Sequence, residues 1–466
     1  MGVSLLSRLV VVSNRVAPIG EAQKPVGGLA VAVLAALKET NGIWFGWSGE
    51  TAKEQQRTPD VARDGKLTLA TVDLTPRDVR EYYNGFSNAA LWPILHYRLD
   101  LAKFQRNEFL GYMRVNDWFA RMLLPLLEPD DIVWIHDYHL IPLARALRHF
   151  GANNPIGFFL HTPFPPHDIL AALPRHQDIL SSLCHFDLIG FQTEHDLAGF
   201  RNCLENTANG TIDEDGVVEA FGLTSRAAVF PIGLDTENMR KLAARHDKSR
   251  ARRRLHEVLH ERRMIIGVDR LDYSKGLPGR FQAYRELLKI YEDMHGKVTL
   301  MQIAPPSRSD VYGYGDIRTE LENLTGNING EFADFDWMPI RYLNRSFSRD
   351  MLACFYREAR VGLVTPLRDG MNLVAKEYIA AQNPEDPGVL VLSQFAGAAA
   401  QMQDALIVNP YDTAEVANAL YRALRMPLRE RRKRWRSLMQ DLVADDVHAW
   451  RRSFLDALAV ATREQR

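Results

Sequence analysis

Two cations share one short segment of the sequence in which a loop is expected. Arg270 and Lys275 lie in "GVDRLDYSKG", residues 267–276, directly after a short apolar run. Cations at the end of a buried strand form a generic anion site, because charge-assisted hydrogen bonds to phosphate are strong. The segment also carries two carboxylates, Asp269 and Asp272, and its composition and spacing predict only a generic anion site.

A second polar turn follows another apolar run. "TPLRDGMNLVAKEYIAAQ" places Asp369 in a turn with a glycine and starts a helix near Asn372, with Glu377 early in that helix. The free N–H groups at a helix start attract phosphate. A carboxylate can accept hydrogen bonds from both hydroxyls of a ribose. A capped helix with a solvated Glu377 is the alternative, but it leaves the polarity of the turn unexplained.

A glycine pair, Gly27 and Gly28, begins the helical pattern "GGLAVAVLAALKET". Glycines allow a backbone to approach a ligand closely, and the N–H groups of a helix start favour anions. A tight turn that only serves packing explains the pair equally well. The pair is not a GxGxxG motif directly after a strand, so nicotinamide dinucleotide binding is not supported.

Three further polar residues, Arg15, Asp137 and His161, stand at the ends of predicted strands. A doubly wound parallel sheet binds ligands at this edge. For His161, a structural hydrogen bond and a ligand contact remain equally open. His136 and His139 indicate a metal only weakly, because no third ligand follows at a suitable spacing.

Aromatic and basic stretches complete the candidates. "EYYNGFSNAALWPILHY" resembles a loop rich in rings that can stack on sugars, such as Tyr83 and Trp92, although the spacing alone favours a helix packed on a core. "APPSRSD" places Arg308 after another strand. The clusters "SRARRRLHEVLHERR" and "RERRKRWR" fit solvated, ion-paired helix faces better than a nucleic-acid site.

Short apolar runs that alternate with amphipathic stretches must position these residues. "RLVVVSNR", "DDIVWIHDYH" and "IGFFLHTPFP" form one series, and "RMIIGVDRL", "KVTLMQIAPP", "VGLVTPLRDG" and "GVLVLSQFAG" form a second. Strands buried on both faces and joined by helices predict parallel α/β sheets. We expect two doubly wound domains facing across a cleft, residues 1–235 and 236–445, followed by a helical pattern over residues 446–466.

Composition excludes several classes of protein. The 466 residues carry a net charge of −1, which argues against a dedicated nucleic-acid or membrane-surface protein. Three widely separated cysteines form no metal-binding spacing and fit a reducing compartment. No apolar run is long enough for a signal peptide or a membrane span. The expectation is a soluble, cytoplasmic protein without nucleic-acid or membrane partners.

Long blocks of this sequence resemble glycosyltransferase family 20, the family of the trehalose-6-phosphate synthases. The blocks are "WFGWSGE", "YYNGFSNAALWPILHYRLDL", "IHDYHLIP", "GFFLHTPFP", "RLDYSKGLPGRF", "TPLRDGMNLVAKEYIAAQ" and "VLVLSQFAGAA", and they run over nearly the whole chain. The resemblance implies the GT-B architecture of two Rossmann-like domains, with C-terminal helices that pack back. It also implies small-molecule substrates, no cofactor, no metal and a homo-oligomer, either a dimer or a tetramer.

The resemblance assigns roles to residues that match the family's motifs. For glucose 6-phosphate, the acceptor, it implies contacts with Arg15, Tyr83, Trp92, Asp137 and Arg308. For the nucleoside-diphosphate glucose, the donor, it implies contacts with Gly28, His161, Arg270, Lys275, Phe347, Asp369, Leu373, Val374, Ala375, Lys376 and Glu377. The implied catalytic set is Asp137, His161, Arg270, Lys275 and Asp369.

The implied reaction transfers glucose with retention of configuration and gives α,α-trehalose 6-phosphate and a nucleoside diphosphate, with UDP-glucose as the expected donor. Two cations and a helix start suffice to stabilise the departing diphosphate. No carboxylate stands out as a nucleophile, so the expected route is a front-face substitution through an oxocarbenium-like state. A glucosylglycerol-phosphate synthase and a non-catalytic sugar-phosphate sensor are the alternatives, and the preferred nucleotide stays open.

Overall fold

The computed structural model describes residues 7–16, 37, 41–306 and 314–464. The chain divides into two compact units, of which the first comprises residues 1–231 and 448–466 and the second residues 232–447. The start of the helix predicted at Gly27 and Gly28 lies outside the described residues, as does Arg308.

The first unit is built on a ten-stranded sheet. Its strands are β1 (Leu9–Arg15), β2 (Ile43–Thr51), β3 (Asp60–Asp64), β4 (Leu67–Leu74), β5 (Ile132–His136), β6 (Ile156–Phe159), β7 (Leu188–Phe191), β8 (Thr211–Ile212), β9 (Val217–Ala220) and β10 (Leu223–Val229). They lie in the order β3-β4-β2-β1-β5-β6-β7-β10-β9-β8. The part from β4 to β10 is parallel, and β3, β9 and β8 add antiparallel edges.

Helices connect these strands. They are α1 (Pro76–Asp78), α2 (Trp92–Leu95), α3 (Arg106–Leu123), α4 (Leu143–His149), α5 (His167–Leu170), α6 (His176–Leu183) and α7 (Glu194–Ala208). A π-helix, Val79–Leu91, joins α1 to α2, and short 3₁₀ segments cover Leu99–Leu101, Leu124–Leu126 and Tyr138–Leu140. The aromatic stretch is therefore a helix, as its spacing favours, and its ring side chains are largely buried.

The second unit is built on a six-stranded, fully parallel sheet. Its strands are β11 (Arg263–Val268), β12 (Val298–Ile303), β13 (Ile340–Leu343), β14 (Val361–Val364), β15 (Val389–Ser393) and β16 (Leu406–Val408). Their order, β13-β12-β11-β14-β15-β16, is that of a dinucleotide-binding Rossmann sheet. The order in which the strands follow one another along the chain reverses between β11 and β14. The prediction of parallel α/β domains of the GT-B type is confirmed.

The helices of the second unit lie between its strands and after them. They are α8 (Thr236–Arg245), α9 (Arg250–Leu259), α10 (Leu277–Ile290), α11 (Tyr314–Phe332), α12 (Arg349–Glu358), α13 (Leu373–Ala381), α14 (Thr413–Arg425) and α15 (Leu428–Ala444). The 3₁₀ segments are His246–Lys248, Tyr273–Lys275, Glu292–Met294 and Gly397–Ala400. Phe281, Tyr284 and Leu288 form the buried face of α10.

The last helix, α16 (Val447–Glu464), packs on the sheet of the first unit. The Trp134 ring on β5 lies 4.9 Å from that of Trp450 and 4.8 Å, nearly parallel, from that of Phe454. Both α16 rings are buried, because they cover the apolar face of the strands that carry the site residues described below.

Candidate active site

Arg15, Asp137 and His161 lie at one edge of the first sheet. Arg15 ends β1, Asp137 follows β5, and His161 follows β6. These three strands are neighbours and parallel, so their carboxyl ends meet. The order of the strands also reverses between β1 and β5, which is where a doubly wound sheet binds its ligands.

The backbone of Asp137 is held in a rare conformation. Its φ angle is 74°, which is uncommon for a residue other than glycine and often marks a functional position. The Asp137 N–H donates to the Phe159 carbonyl over 2.9 Å, and the Asp137 Oδ1 accepts from the His161 N–H over 3.3 Å. The carboxylate is thereby fixed beside the end of β6.

His161 shares a ring contact with a second histidine. The His161 Nε2 lies 3.1 Å from the Nδ1 of His136, the last residue of β5. Burial lowers the pKa of His161 to about 3. The pKa of His136 is lowered well below its usual value by burial and, secondarily, by His161. Both imidazoles are therefore neutral at physiological pH.

A chain of aromatic rings links the predicted acceptor residues. The Arg15 guanidinium lies 5.6 Å from the centre of the Trp47 ring, which lies 5.3 Å from that of Tyr83. Tyr83 stacks on His139 at 5.9 Å. At the other end of this chain, Trp92 lies 5.7 Å from the ring of Tyr138, whose ring is 4.0 Å from that of His139.

A glycine on the neighbouring strand β2 leaves room for the Arg15 side chain. Gly49 on β2 has a φ of 98°, and a Cβ there would lie 2.2 Å from the Arg15 Nη2. Any larger residue at position 49 would therefore be strained and would displace the guanidinium. Arg15 itself is exposed, so its charge is available to a ligand.

In the second unit, two loops meet at the point where the sheet order reverses. The loop after β11 carries Arg270 and Lys275, and the loop after β14 carries Asp369. The Lys275 ammonium donates to the Asp369 Oδ2, which also accepts from the Asn372 Nδ2 over 2.9 Å. Lys275 is buried and Arg270 is exposed.

The two aspartates of "GVDRLDYSKG" each accept hydrogen bonds from a nearby donor. Asp269 pairs with the buried Arg280, whose Nη1 lies 2.7 Å from the Asp269 Oδ2. Burial raises the pKa of the Asp269 carboxyl. The Asp272 Oδ1 accepts from the N–H and the hydroxyl of Ser274, at 2.9 Å each, and so caps the turn that carries Lys275. The partner of Asp269 thus comes from helix α10, whereas the partner of Asp272 belongs to the same loop.

Gly276 lets the two loops of the second unit pack closely. Its φ is 65°, and a Cβ at this position would lie 2.7 Å from the Thr365 carbonyl oxygen. The Leu367 N–H also donates to the Ser274 carbonyl over 2.8 Å. The loop with the cations is thus fastened to the loop with Asp369.

Helix α13 starts beside this contact. Asn372 precedes it with a φ of 72°, and the chain then exposes part of Leu373 and Val374 and buries Ala375. The Lys376 Nζ turns inward and donates to the Ile232 carbonyl over 2.8 Å and to the Gln401 Oε1 over 2.7 Å, and burial lowers its pKa to about 8. The Lys376 side chain therefore points away from the predicted nucleotide-sugar site, and only the backbone of Lys376 is left to contact that substrate.

Glu377 and Phe347 lie near the starts of two helices. The Glu377 Oε1 lies 3.7 Å from the Arg349 Nε, and the Glu377 side chain is 12% exposed. Burial raises the pKa of Glu377, an effect that the Arg349 charge opposes. Phe347, just before α12, packs edge-on against Phe355 at 5.3 Å and carries the Arg345 guanidinium at 4.7 Å from its ring centre.

Sequence reasoning missed several residues that hold the site. His136, Asn372, Arg280 and Arg349 contact predicted site residues directly. The adjacency of His136 to Asp137 and of Asn372 to the "DGMN" turn could have identified two of them. Nothing in the local sequence could have indicated the pairing of Arg280 with Asp269, because it depends on how α10 packs on β11.

The described residues include no group of three or more His, Cys, Asp or Glu side chains placed to hold a metal ion. No helix in this part of the chain is long and apolar enough to cross a membrane.

The chain matches a known protein family and curated relatives over nearly its whole length. The family model described as Glycosyltransferase family 20 matches residues 8–460. The chain is 49% identical over 460 residues to a trehalose-6-phosphate synthase of Sinorhizobium fredii, covering 98% of this chain and 99% of the relative.

Two solved structures carry the comparison to the fold. One is an alpha,alpha-trehalose-phosphate synthase (UDP-forming) from Burkholderia xenovorans in complex with glucose-6-phosphate, with a TM-score of 0.93, 52% identity and coverage of 97% of this chain and 100% of that chain. The other, from Escherichia coli, is bound with UDP-2-fluoro glucose and has a TM-score of 0.93, 52% identity and coverage of 97% and 99%.

Proposed function

The chain belongs to glycosyltransferase family 20, and on this basis we propose that it transfers glucose from UDP-glucose to glucose 6-phosphate. The products are α,α-trehalose 6-phosphate and UDP. The observation that carries the proposal is the likeness, at about half of all positions and over nearly the full length, to UDP-forming synthases solved with glucose-6-phosphate and with a UDP-glucose analogue.

We propose that the acceptor binds at the carboxyl edge of the first sheet. The exposed Arg15, together with Arg308, suits the phosphate dianion of glucose 6-phosphate, because a guanidinium pairs with phosphate through two parallel hydrogen bonds. Tyr83 and Trp92 present a hydroxyl and a ring edge to the sugar. Asp137, fixed by its backbone contacts, orients a sugar hydroxyl.

The donor is assigned to the second unit. Arg270 and Lys275 hold the diphosphate. The backbone N–H groups of Leu373, Val374 and Ala375, at the start of α13, add partial positive charge. Glu377 takes the ribose hydroxyls, and the backbone near Phe347 lies beside the base. His161 and Asp369 contact hydroxyl groups of the donor glucose, and Gly28 contacts the donor through its glycine loop.

The chemistry of the step follows from where charge develops. When the glycosidic bond to the β-phosphate breaks, negative charge grows on the leaving oxygen, and the cations already in place stabilise it. A double-displacement route needs two carboxylates about 5–5.5 Å apart. Asp137 and Asp369 belong to different units and both have binding roles, so we propose front-face substitution with retention, in which the departing phosphate oxygen takes the acceptor proton.

Several finer assignments belong to the same proposal. Residues 1–235 are the acceptor-binding domain, residues 236–445 bind the nucleotide sugar, and residues 446–466 return to the first domain. The enzyme is cytoplasmic and forms a homo-oligomer. The His161 imidazole is neutral at physiological pH because of its low pKa, so it contacts the donor as a hydrogen-bonding group and not as a cation.

One assay separates the proposed function from its alternatives. The purified chain is incubated with UDP-glucose and either glucose 6-phosphate or glycerol 3-phosphate, and UDP release is followed. The proposal expects release with glucose 6-phosphate. Release only with glycerol 3-phosphate would indicate a glucosylglycerol-phosphate synthase, and binding without release under both conditions would indicate a sugar-phosphate sensor.

A further inference from the structure

His136 is a buried histidine that the proposed mechanism does not use. It is 1% exposed and ends β5, directly before Asp137. Its Nδ1 lies 3.1 Å from the Nε2 of His161, and the two rings are nearly parallel with centroids 5.3 Å apart. This geometry allows one hydrogen bond between the imidazoles, with a single proton between the two facing nitrogens.

The direction of that hydrogen bond decides which face His161 presents. Both rings are neutral, since burial lowers both pKa values, so each ring carries one N–H and one lone pair. If the His136 Nδ1–H donates, His161 must carry its own proton on Nδ1. If the His161 Nε2–H donates, His136 must carry its proton on Nε2 instead.

The surroundings of the His136 Nε2 distinguish these two cases. This atom is buried and has no hydrogen-bond partner among the described residues. The indole N–H groups of Trp134 and Trp450 are also buried without acceptors among the described residues, and the centres of their rings lie 4.6 Å and 6.4 Å from that of the His136 ring. A proton on the Nε2 would add a third unpaired N–H donor, whereas an unpaired lone pair is the less costly alternative, because buried acceptors are left unsatisfied more often than buried N–H groups.

We propose that His136 is a positioning residue that donates its Nδ1–H to the His161 Nε2 and so fixes His161 in the Nδ1–H tautomer. His161 then presents an N–H to a hydroxyl oxygen of the donor sugar, a consequence that rests on the proposed function. Because the Nε2 lone pair of His161 is already engaged, this imidazole is not available as a base for the acceptor proton. The tautomer of one ring is set by the partner of its other nitrogen.

Histidine ring NMR tests the assignment without any substrate. The full chain is labelled with ¹⁵N-histidine, and long-range ¹H–¹⁵N correlations distinguish a protonated from an unprotonated nitrogen in each ring. The spectra of His136→Phe and His161→Gln identify the two rings. The proposal expects His161 protonated at Nδ1 and His136 protonated at Nδ1, and a proton on the His161 Nε2 would overturn it.

Steady-state kinetics provide the second readout. His136→Asn keeps a donor near the position of Nδ1, and His136→Phe keeps the ring volume without a donor. We expect His136→Phe to raise the KM for UDP-glucose about tenfold, with the KM for glucose 6-phosphate unchanged, and His136→Asn to restore most of the loss. His185→Phe, which alters another histidine of the first unit, is the control.

Each outcome bears on the proposal. An unchanged KM in a folded His136→Phe variant would contradict it, and equal damage in the Asn and Phe variants would reduce His136 to a packing role. If the Phe variant does not fold, the wild-type spectrum and the Asn variant still decide. The expected spectrum without UDP release would refute the proposed function and leave the tautomer assignment standing.

Discussion

The Lys275 ammonium lies in direct contact with the Asp369 carboxylate, although 94 residues separate them in the chain. The contact joins the loops that follow β11 and β14, which are neighbouring strands at the reversal point of the second sheet. The cation assigned to the diphosphate is therefore already held in place by the carboxylate assigned to the glucose. One residue pair thus connects the two parts of the proposed donor site.

This pair gives the first prediction. Lys275→Ala is expected to lower kcat/KM about tenfold to a hundredfold, because a charge-assisted contact worth roughly 1.5–3 kcal/mol is lost. Asp369→Asn should also lower kcat/KM, and the double variant should lose less than the product of the two, because both changes remove one shared contact. Steady-state kinetics of the cycle measure this coupling.

The control for that cycle is Lys289→Ala, which removes an exposed lysine near the end of α10. It should leave kcat/KM unchanged. Fully multiplicative losses in the Lys275 and Asp369 variants would mean that the two residues act independently and that their contact has no role in donor binding.

The second prediction concerns the acceptor phosphate. Arg15→Ala should raise the KM for glucose 6-phosphate about tenfold or more and leave the KM for UDP-glucose nearly unchanged, because a guanidinium–phosphate pair is lost. Arg308→Ala should behave in the same way. Arg63→Ala, on the exposed edge strand β3, is the matched control. A larger effect on UDP-glucose would show that the two substrate assignments are reversed.

The third prediction separates structural from functional charge. Arg280 is 1% exposed and bonds Asp269 over 2.7 Å, Gln302 over 2.9 Å and Thr365 over 3.0 Å. Arg280→Ala should therefore lower the free energy of unfolding by about 3–5 kcal/mol, because a buried carboxylate loses its partner. Urea unfolding measures this loss. The exposed Arg318→Ala should leave the unfolding curve unchanged, and an equally small effect at Arg280 would contradict the account.

The fourth prediction is a pH dependence of stability. Asp386 accepts from Arg360 and Arg431, and these hydrogen bonds lower its pKa to about 2. A carboxyl whose pKa is lower in the folded state stabilises the fold above its unfolded pKa, near 3.9, and loses this effect as the pH falls through 2. Because half of the side chain is exposed, we expect a contribution of about 1 kcal/mol at pH 7.

Urea unfolding of Asp386→Asn at several pH values checks this. The variant should be less stable than the wild type at pH 7, and the difference should shrink toward zero between pH 4 and pH 2. Asp130→Asn, at an exposed turn, should show no such trend. A difference that stays constant down to pH 2 would mean that the carboxylate charge is not responsible.

The predictable part of the site consists of features that local sequence determines. Apolar runs bounded by polar residues locate the strand ends at Arg15 and Asp137, and the "DGMN" turn locates the start of α13 at Leu373. The family blocks then supply roles that composition and spacing leave generic. Those roles, and the domain boundaries at 235 and 445, stay predictions.

The rest depends on tertiary packing. The spacing of the aromatic stretch favours a helix, but its rings contact α3 and the 3₁₀ segment Tyr138–Leu140, and these partners cannot be read from the local sequence. The Lys376 ammonium donates to the carbonyl of Ile232, 144 residues away in the chain. The position of Lys376 in the helix does not reveal where this charge lies. Likewise, Asp269 bonds Arg280 and not its sequence neighbour Arg270, because α10 brings the Arg280 guanidinium beside the end of β11.

The central claim is that this chain joins glucose from UDP-glucose to glucose 6-phosphate, and product analysis tests it most directly. The wild-type chain is incubated with UDP-glucose and glucose 6-phosphate, the product is dephosphorylated, and its anomeric carbons are observed by ¹³C NMR. The account predicts a single anomeric resonance, that of the symmetric α,α-linked disaccharide, together with stoichiometric UDP. A β-linked product, or UDP released without a disaccharide, would contradict it.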